Sequence, residues 1–240
     1  MFWPDVIALK EFYNSALGRI TGRHIGTCIR QFWSDTTDCT VLGIGFTLPY
    51  LQHFTANNRC TFSLMPAGQG VIHWAPNNLN LSLLADETEL PFPDNSIQRV
   101  LIVHALENSE NTKQLMAEIW RVLAPTGRLL AVVPNRRGIW ARSLQSPFAH
   151  GQPFTHWQLR QLFAKHSFTP VSIGSALFFP PSNRQYILRS AGFCEQVGRN
   201  FFPGFGGVLI MEAEKQIYAP AIQKAMRSPK MTYIPAVQPI

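Results

Sequence analysis

The chain has 240 residues and a formal charge of +7, from 21 Lys+Arg against 14 Asp+Glu. At 46% hydrophobic and 15% charged it is neither a disordered chain nor a coiled coil, and it is long enough to bury one full core. Four cysteines without a CxxC pair, and no apolar run near the ~18 residues of a membrane span, argue against a disulfide framework, structural zinc and a membrane-spanning protein.

Residues 1–5 show neither the basic nor the apolar region of a signal peptide, so a reducing, cytoplasmic setting is expected. Behind Asp5, Val6, Leu9, Tyr13, Ala16, Leu17 and Ile20 recur at three- and four-residue steps, which predicts an amphipathic helix. A second helix is expected over about 24–33. The period then changes: 40–45 (TVLGIG) is a short apolar run ending in glycine, the pattern of a buried parallel strand entering a tight turn. Thr47 as N-cap and Pro49 as an early helical proline predict a helix over 50–54. The next apolar runs are 60–64 and 79–84, and 65–70 between them reads as a loop or broken helix. The clearest strand is 99–105 (RVLIVHA). A helix over 110–123 follows, capped by Asn108 or Ser109, with a stripe of Leu115, Met116, Ile119, Val122 and Leu123, and stopped by Pro125-Thr126-Gly127. The run 128–133 (RLLAVV) is the next strand. Such alternation predicts a mostly parallel sheet with helices on both faces.

Past Pro134, Thr155 caps a helix carrying Leu159, Leu162 and Phe163, and 168–173 reads as a strand. A helix over 182–198, an aromatic loop at 201–207 and a last strand at 208–213 complete the pattern. The stretch from Ala219 holds Pro220, Pro229, Pro235 and Pro239 and is expected to be extended. The organisation read from this is a helical extension (1–38), one α/β domain (39–215) and a tail (216–240).

Three stretches carry a resemblance. Val41-Leu42-Gly43-Ile44-Gly45 ends the first strand, 85–96 (ADETELPFPDNS) leads into the strand at Arg99, and 118–130 (EIWRVLAPTGRLL) is a helix, turn and strand. In this order they resemble the class I S-adenosylmethionine (SAM) dependent methyltransferases, in particular the small-molecule group called methyltransferase type 11. The resemblance covers about residues 40–134, and the acid followed by LPFPDNS is its most specific part. It implies a Rossmann-like seven-stranded sheet, mostly parallel, whose last strand is antiparallel to the others. It also implies that SAM lies along Gly43, Gly45, Phe46, Met65, Asp86, Glu87, Thr88 and His104. In that arrangement the glycines admit the methionine moiety, Asp86 receives the adenine amino group, Glu87 and Thr88 flank the ring, and His104 faces the sulfonium.

The chain departs from the family twice. Gly43-Ile44-Gly45-Phe46-Thr47-Leu48-Pro49 stands where the family reads Asp-x-Gly-x-Gly-x-Gly, so the acid and two of the three glycines are missing. The ribose carboxylate at the end of the second strand is replaced by Met65, and no Asp or Glu occurs from Cys39 to Ala85. Charge-assisted bonds to ribose hydroxyls are worth about 1.5–3 kcal/mol each. Gln69, Asn77 and Asn78 are the neutral acceptors near enough in sequence to replace it.

Each of these residues also has a plain structural reading: the glycines as a tight turn, Asp86 and Asp94 as turn residues, His104 as a core histidine. Two functions therefore stand at this level. One is a SAM-dependent methyltransferase acting on a small-molecule acceptor, with His104, or else His150 or His156, as base. The other is a methyltransferase-like binding or regulatory subunit with a protein partner, for which the aromatics of 178–181 and 201–205 would supply a surface. Arg136, Arg137 and Arg142 either bind an anionic acceptor or decorate a loop. A nicotinamide enzyme would need GxGxxG with an acid after the second strand, and a P-loop enzyme GxxxxGK[ST]; neither is present. The basic residues are spread rather than concentrated with stacking aromatics, which argues against nucleic acid. The Asp/Asn-Pro-Pro-Tyr/Phe signature of aminomethylating enzymes is replaced by His104-Ala105-Leu106-Glu107.

Overall fold

The computed structural model describes residues 3–55, 58–74, 79–143, 146–217 and 232–233. Its strands are β1 (Thr40–Gly45), β2 (Cys60–Pro66), β3 (Ser82–Ala85), β4 (Ile97–Val103), β5 (Leu123–Pro134), β6 (Phe168–Ala176), β7 (Val208–Lys215) and β8 (Thr232–Tyr233). They form one sheet in the order β3-β2-β1-β4-β5-β7-β6-β8. β7 runs antiparallel to both β5 and β6, and the other pairings are parallel, as expected for the Rossmann-like sheet. β8, from the tail, adds a short eighth strand beside β6.

The unbroken apolar runs of the central strands follow from burial on both faces. On one face Val41, Leu101, Val103, Leu130, Val132, Val208 and Ile210 meet helices α1 (Val6–Asn14), α2 (Ala16–Phe32), α3 (Leu48–Leu51) and α6 (Gln185–Phe201). On the other, Leu42, Ile44, Val100, Ile102, Leu129, Ala131 and Met211 meet α4 (Thr112–Val122) and α5 (His156–Lys165).

Local chemistry sets the helix ends. The expected first helix is interrupted at Ser15, which ends α1 and caps α2 by accepting from the Gly18 N–H. α2 then runs unbroken through the expected second helix. Gly18 allows a close crossing, because a Cβ there would run into the Phe12 carbonyl. α2 is pinned at its far end, where Trp33 Nε1 donates to the buried Glu212 of β7. Asn111, not Asn108 or Ser109, caps α4, because 105–109 is wound into a turn in which the N–H groups of Asn108 and Ser109 both bond the Ala105 carbonyl. Thr155 caps α5, as the sequence led one to expect, and Gln158 completes a reciprocal capping box. α3 is a single turn, and among the described residues no helix lies between β2 and β3 or between β3 and β4. α1 lies over the carboxyl ends of β1 and β2, where the Val6 N–H bonds the Gln69 carbonyl and Tyr13 stacks on Phe46.

Candidate active site

Strand order reverses between β1 and β4, and in open α/β sheets the carboxyl ends at that point form the binding crevice. Here those ends carry Gly45 and Phe46, the segment 66–70, and the turn 104–109. Gly45 has φ of +85°, and a Cβ on it would collide with the Val103 carbonyl. A Cβ on Gly43 would collide with the side chain of Thr47. Both glycines are thus required by the chain's own packing. The changes in the first motif are coupled: the space left where the family has its acid is filled by the side chain standing where it has a glycine. Thr47 Oγ1 lies 3.5 Å from the buried Ser63 Oγ of β2.

His104 follows β4 with φ of +55° and is fully buried. Its ring packs 4.5 Å from that of Phe148. Nε2 is 2.9 Å from the Tyr13 hydroxyl, which is 2.9 Å from the Tyr50 hydroxyl, and Nδ1 is 3.5 Å from Glu107 Oε1. Burial, with Tyr50 beside it, pushes the Tyr13 phenol well above its ordinary range, so it remains protonated. With the imidazole proton on Nδ1, facing Glu107, Tyr13 donates to Nε2 and accepts from Tyr50. Tyr13 also stacks on Phe46 at 5.4 Å between ring centres.

Around this histidine gather Gln69, which the sequence offered as a neutral acceptor, and Asn108 and Glu107, for which the sequence suggested no such role. Gln69 Nε2 and Asn108 Nδ2 both donate to the His104 carbonyl, each at 3.3 Å. Gln69 Oε1, Asn108 Oδ1 and both oxygens of Glu107 are buried and accept no hydrogen bond from a described residue. Leaving such groups unmet costs about 1–3 kcal/mol each, more when charged, so they call for donors other than the described side chains, an ordered water or a ligand.

The other expected residues behave differently. Met65 is completely buried in the core. Asp86 is exposed, and its Oδ1 accepts from both the N–H and the hydroxyl of Thr88, which hold the carboxyl below its ordinary range. Glu87 is half-buried, and burial pushes its carboxyl up. Asn77 and Asn78 lie outside the described residues. His156 sits at the start of α5 and, with Asn135 and Arg137, lines a separate cavity of about 420 Å³. Burial holds its imidazole below the ordinary value. Arg136 donates to the Pro153 carbonyl, and neither His150 nor Arg142 is among the residues lining that cavity. The described residues hold no His/Cys/Asp/Glu cluster fit for a metal and no helix long and apolar enough to cross a membrane.

Residues 42–131, which hold the glycine turn, β2 to β4 and most of β5, match the model of a methyltransferase domain, type 11. Over this stretch, which is under half of the chain, it is similar to type 11 methyltransferase domains. The chain is 29% identical over 113 residues to a demethylmenaquinone methyltransferase of Thermus thermophilus, a stretch covering 46% of this chain and 50% of that protein. It is 28% identical over 145 residues to a ubiquinone/menaquinone biosynthesis C-methyltransferase of Desulfotalea psychrophila, covering 59% and 54%. The chain thus spans about half the length of the curated relatives it matches. The fold of the whole domain is similar to that of a SAM-dependent methyltransferase of Thermotoga maritima, with a TM-score of 0.65 at 14% identity, over 88% of this chain and 96% of that one.

SAM is the methyl donor of this family. Its ammonium and ribose hydroxyls are hydrogen-bond donors, and the uncommitted acceptors of Gln69, Glu107 and Asn108 match them in chemistry and lie at the strand ends that bind ligands in this fold. The residues whose chemistry matches the cofactor's donors are thus Gln69, Glu107 and Asn108, beside the Gly45 turn.

Proposed function

We propose that the protein is a SAM-dependent methyltransferase acting on a small molecule, with the cofactor held by Gly45, Gln69, Glu107 and Asn108. Gly43, Phe46, Met65 and Thr47 shape the floor, and Asp86, Glu87 and Thr88 serve the adenine end. The observation that carries this reading is the set of buried, unmet acceptors converging on His104 at the ends of β2 and β4. When bound, SAM supplies an electrophilic methyl group on a sulfonium. His104 is the base: Glu107 beside Nδ1 keeps the ring proton there, and Nε2 takes a proton from an oxygen, nitrogen or ring-carbon acceptor once Tyr13 has given up its bond to it. Burial of the cluster excludes water, which leaves positioning as the main source of acceleration. The named quinone-pathway relatives support an aromatic acceptor.

A second reading, a methyltransferase-like binding subunit, draws on the way α1 lies over the same strand ends. The Val6 N–H bonds the Gln69 carbonyl at 2.9 Å, and Trp3 packs on Gly68. Calorimetric titration with SAM and S-adenosylhomocysteine (SAH) separates the two. Micromolar dissociation constants are expected for the enzyme; no binding at millimolar ligand leaves the subunit reading.

A further inference from the structure

On the outer side of Tyr13 and Phe46 the chain forms a groove of about 610 Å³, within the usual range for small-molecule sites. α1 and α2 make one wall, and α3 with residues 72–74 the other. Lys10, Arg19, Arg23 and Arg30 line it, and no Asp or Glu does. None of the four takes part in an ion pair among the described residues; Arg19 donates to the Asn14 carbonyl and Arg30 to the Thr27 hydroxyl. Part of the chain's net charge of +7 is thus concentrated here, unneutralised. The floor is apolar and aromatic: Tyr13, Phe46, Leu48, Pro49, Ile72 and Trp74.

The helix face has also been kept open. Residues 19, 23 and 30 fall on one face of α2, and Gly22 lies beside them in the groove. Glycine inside a helix costs about 0.5–1 kcal/mol against alanine. At Gly22 no packing demands it, since a Cβ would meet only the Tyr13 ring at an ordinary 3.6 Å. The missing side chain leaves room between the arginines.

From cations around an aromatic floor we infer that this groove binds an organic anion, a planar or apolar body bearing a carboxylate, sulfonate or phosphate. It rests on the proposed function in one respect: Tyr13 and Phe46 are shared by the groove and the His104 cluster, so when α1 shifts to admit SAM and Tyr13 leaves Nε2, the anion held by the arginines of α2 is the methyl acceptor. The rings cover its body while the arginines fix its acidic end.

The test uses the full chain and two fluorescent probes of similar ring structure, 8-anilinonaphthalene-1-sulfonate and the uncharged N-phenyl-1-naphthylamine. The sulfonate is expected to bind at least about tenfold more tightly than the uncharged probe, and to weaken as salt is raised. Arg19→Gln/Arg23→Gln should weaken the sulfonate by about tenfold, and Gly22→Leu, which favours the helix but fills the groove, should abolish its binding. Thermal melts confirm that both variants fold. Equal affinity for the two probes, or sulfonate binding unchanged in either variant, overturns the inference. SAH titration of the same preparations keeps the failures apart: a groove that binds sulfonate in a protein that never binds SAH sinks the methyltransferase reading alone.

Discussion

Glu107 holds a carboxylate that is 1% exposed and accepts no described hydrogen bond, with the Nδ1 of His104 3.5 Å away. A buried charge so poorly met is expensive to the fold, so its removal and its use pull in opposite directions. Glu107→Gln should leave the melting temperature unchanged or raise it, while weakening SAH by about tenfold or more, the loss of one charge-assisted bond. Lost stability with unchanged SAH affinity would instead make Glu107 a structural residue. His104→Asn should keep the turn, because asparagine tolerates the positive φ that position requires, and should abolish turnover while retaining SAH binding. Glu107 was not legible in advance, since a glutamate after an apolar strand has no local pattern to set it apart. The LPFPDNS stretch was legible as a family mark, yet its chemistry in the structure is mechanical. Arg121 of α4 donates to the Leu90 and Phe92 carbonyls and to Asp94, while Glu118 accepts from the Leu90 N–H and pairs with Arg121. The motif's acid, Asp94, is thus a loop clamp, and Asp86 is tied into its own turn.

Between β1 and α3 the first motif's losses compensate each other. A methyl group on Gly43 would press into Thr47 and Leu51, an overpacking cost typically near ~1–3 kcal/mol. Gly43→Ala should therefore lower the melting temperature, and Thr47→Gly should restore part of it when combined, giving a coupling energy well outside the ~0.3–0.5 kcal/mol scatter of independent sites. Additive effects would show that the two positions do not share this space. Between α2 and α6, His24 packs on Phe179 with Arg199 and Arg23 nearby; burial first, then these charges, lower its pKa to about 4. The folded state resists protonating it, so the unfolded chain binds the proton more readily between about pH 6.5 and 4, and stability must fall as pH drops through that window. His24→Gln should flatten this part of the melting-temperature profile; an unaltered slope would assign the loss to His53, His156 and His166, which are shifted in the same direction. Strand periodicity and caps at this scale were readable because they are local, as the Thr155 cap of α5 shows. The cap of α4 was misplaced because the turn that removes Asn108 and Ser109 from it depends on where β4 ends against the site.

In the whole molecule α1 is the element least legible from sequence and most consequential for the site. Its stripe of Val6, Leu9 and Tyr13 declared an amphipathic helix, but a hydrophobic period does not say which surface it will cover. In the structure it covers the crevice: Trp3 on Gly68, Val6 bonded to the Gln69 carbonyl, and Tyr13 bonded to His104. The acceptors of Gln69, Glu107 and Asn108 are therefore shut in, and a cofactor reaches them only from a state in which α1 has withdrawn. Affinity in such a system is reduced by the fraction of molecules in the competent state. Gly18→Ala sets the two effects against each other, because its Cβ would strike the Phe12 carbonyl and loosen the crossing of α1 on α2. The variant should melt lower than the parent yet bind SAH more tightly, and hydrogen exchange of the amides in Val6–Asn14 should quicken in the parent when SAH is added. Were SAH to bind the parent with α1 as protected as before, and the variant no more tightly, the cofactor would have to enter without passing α1, and the cluster around His104 would lose its claim to it.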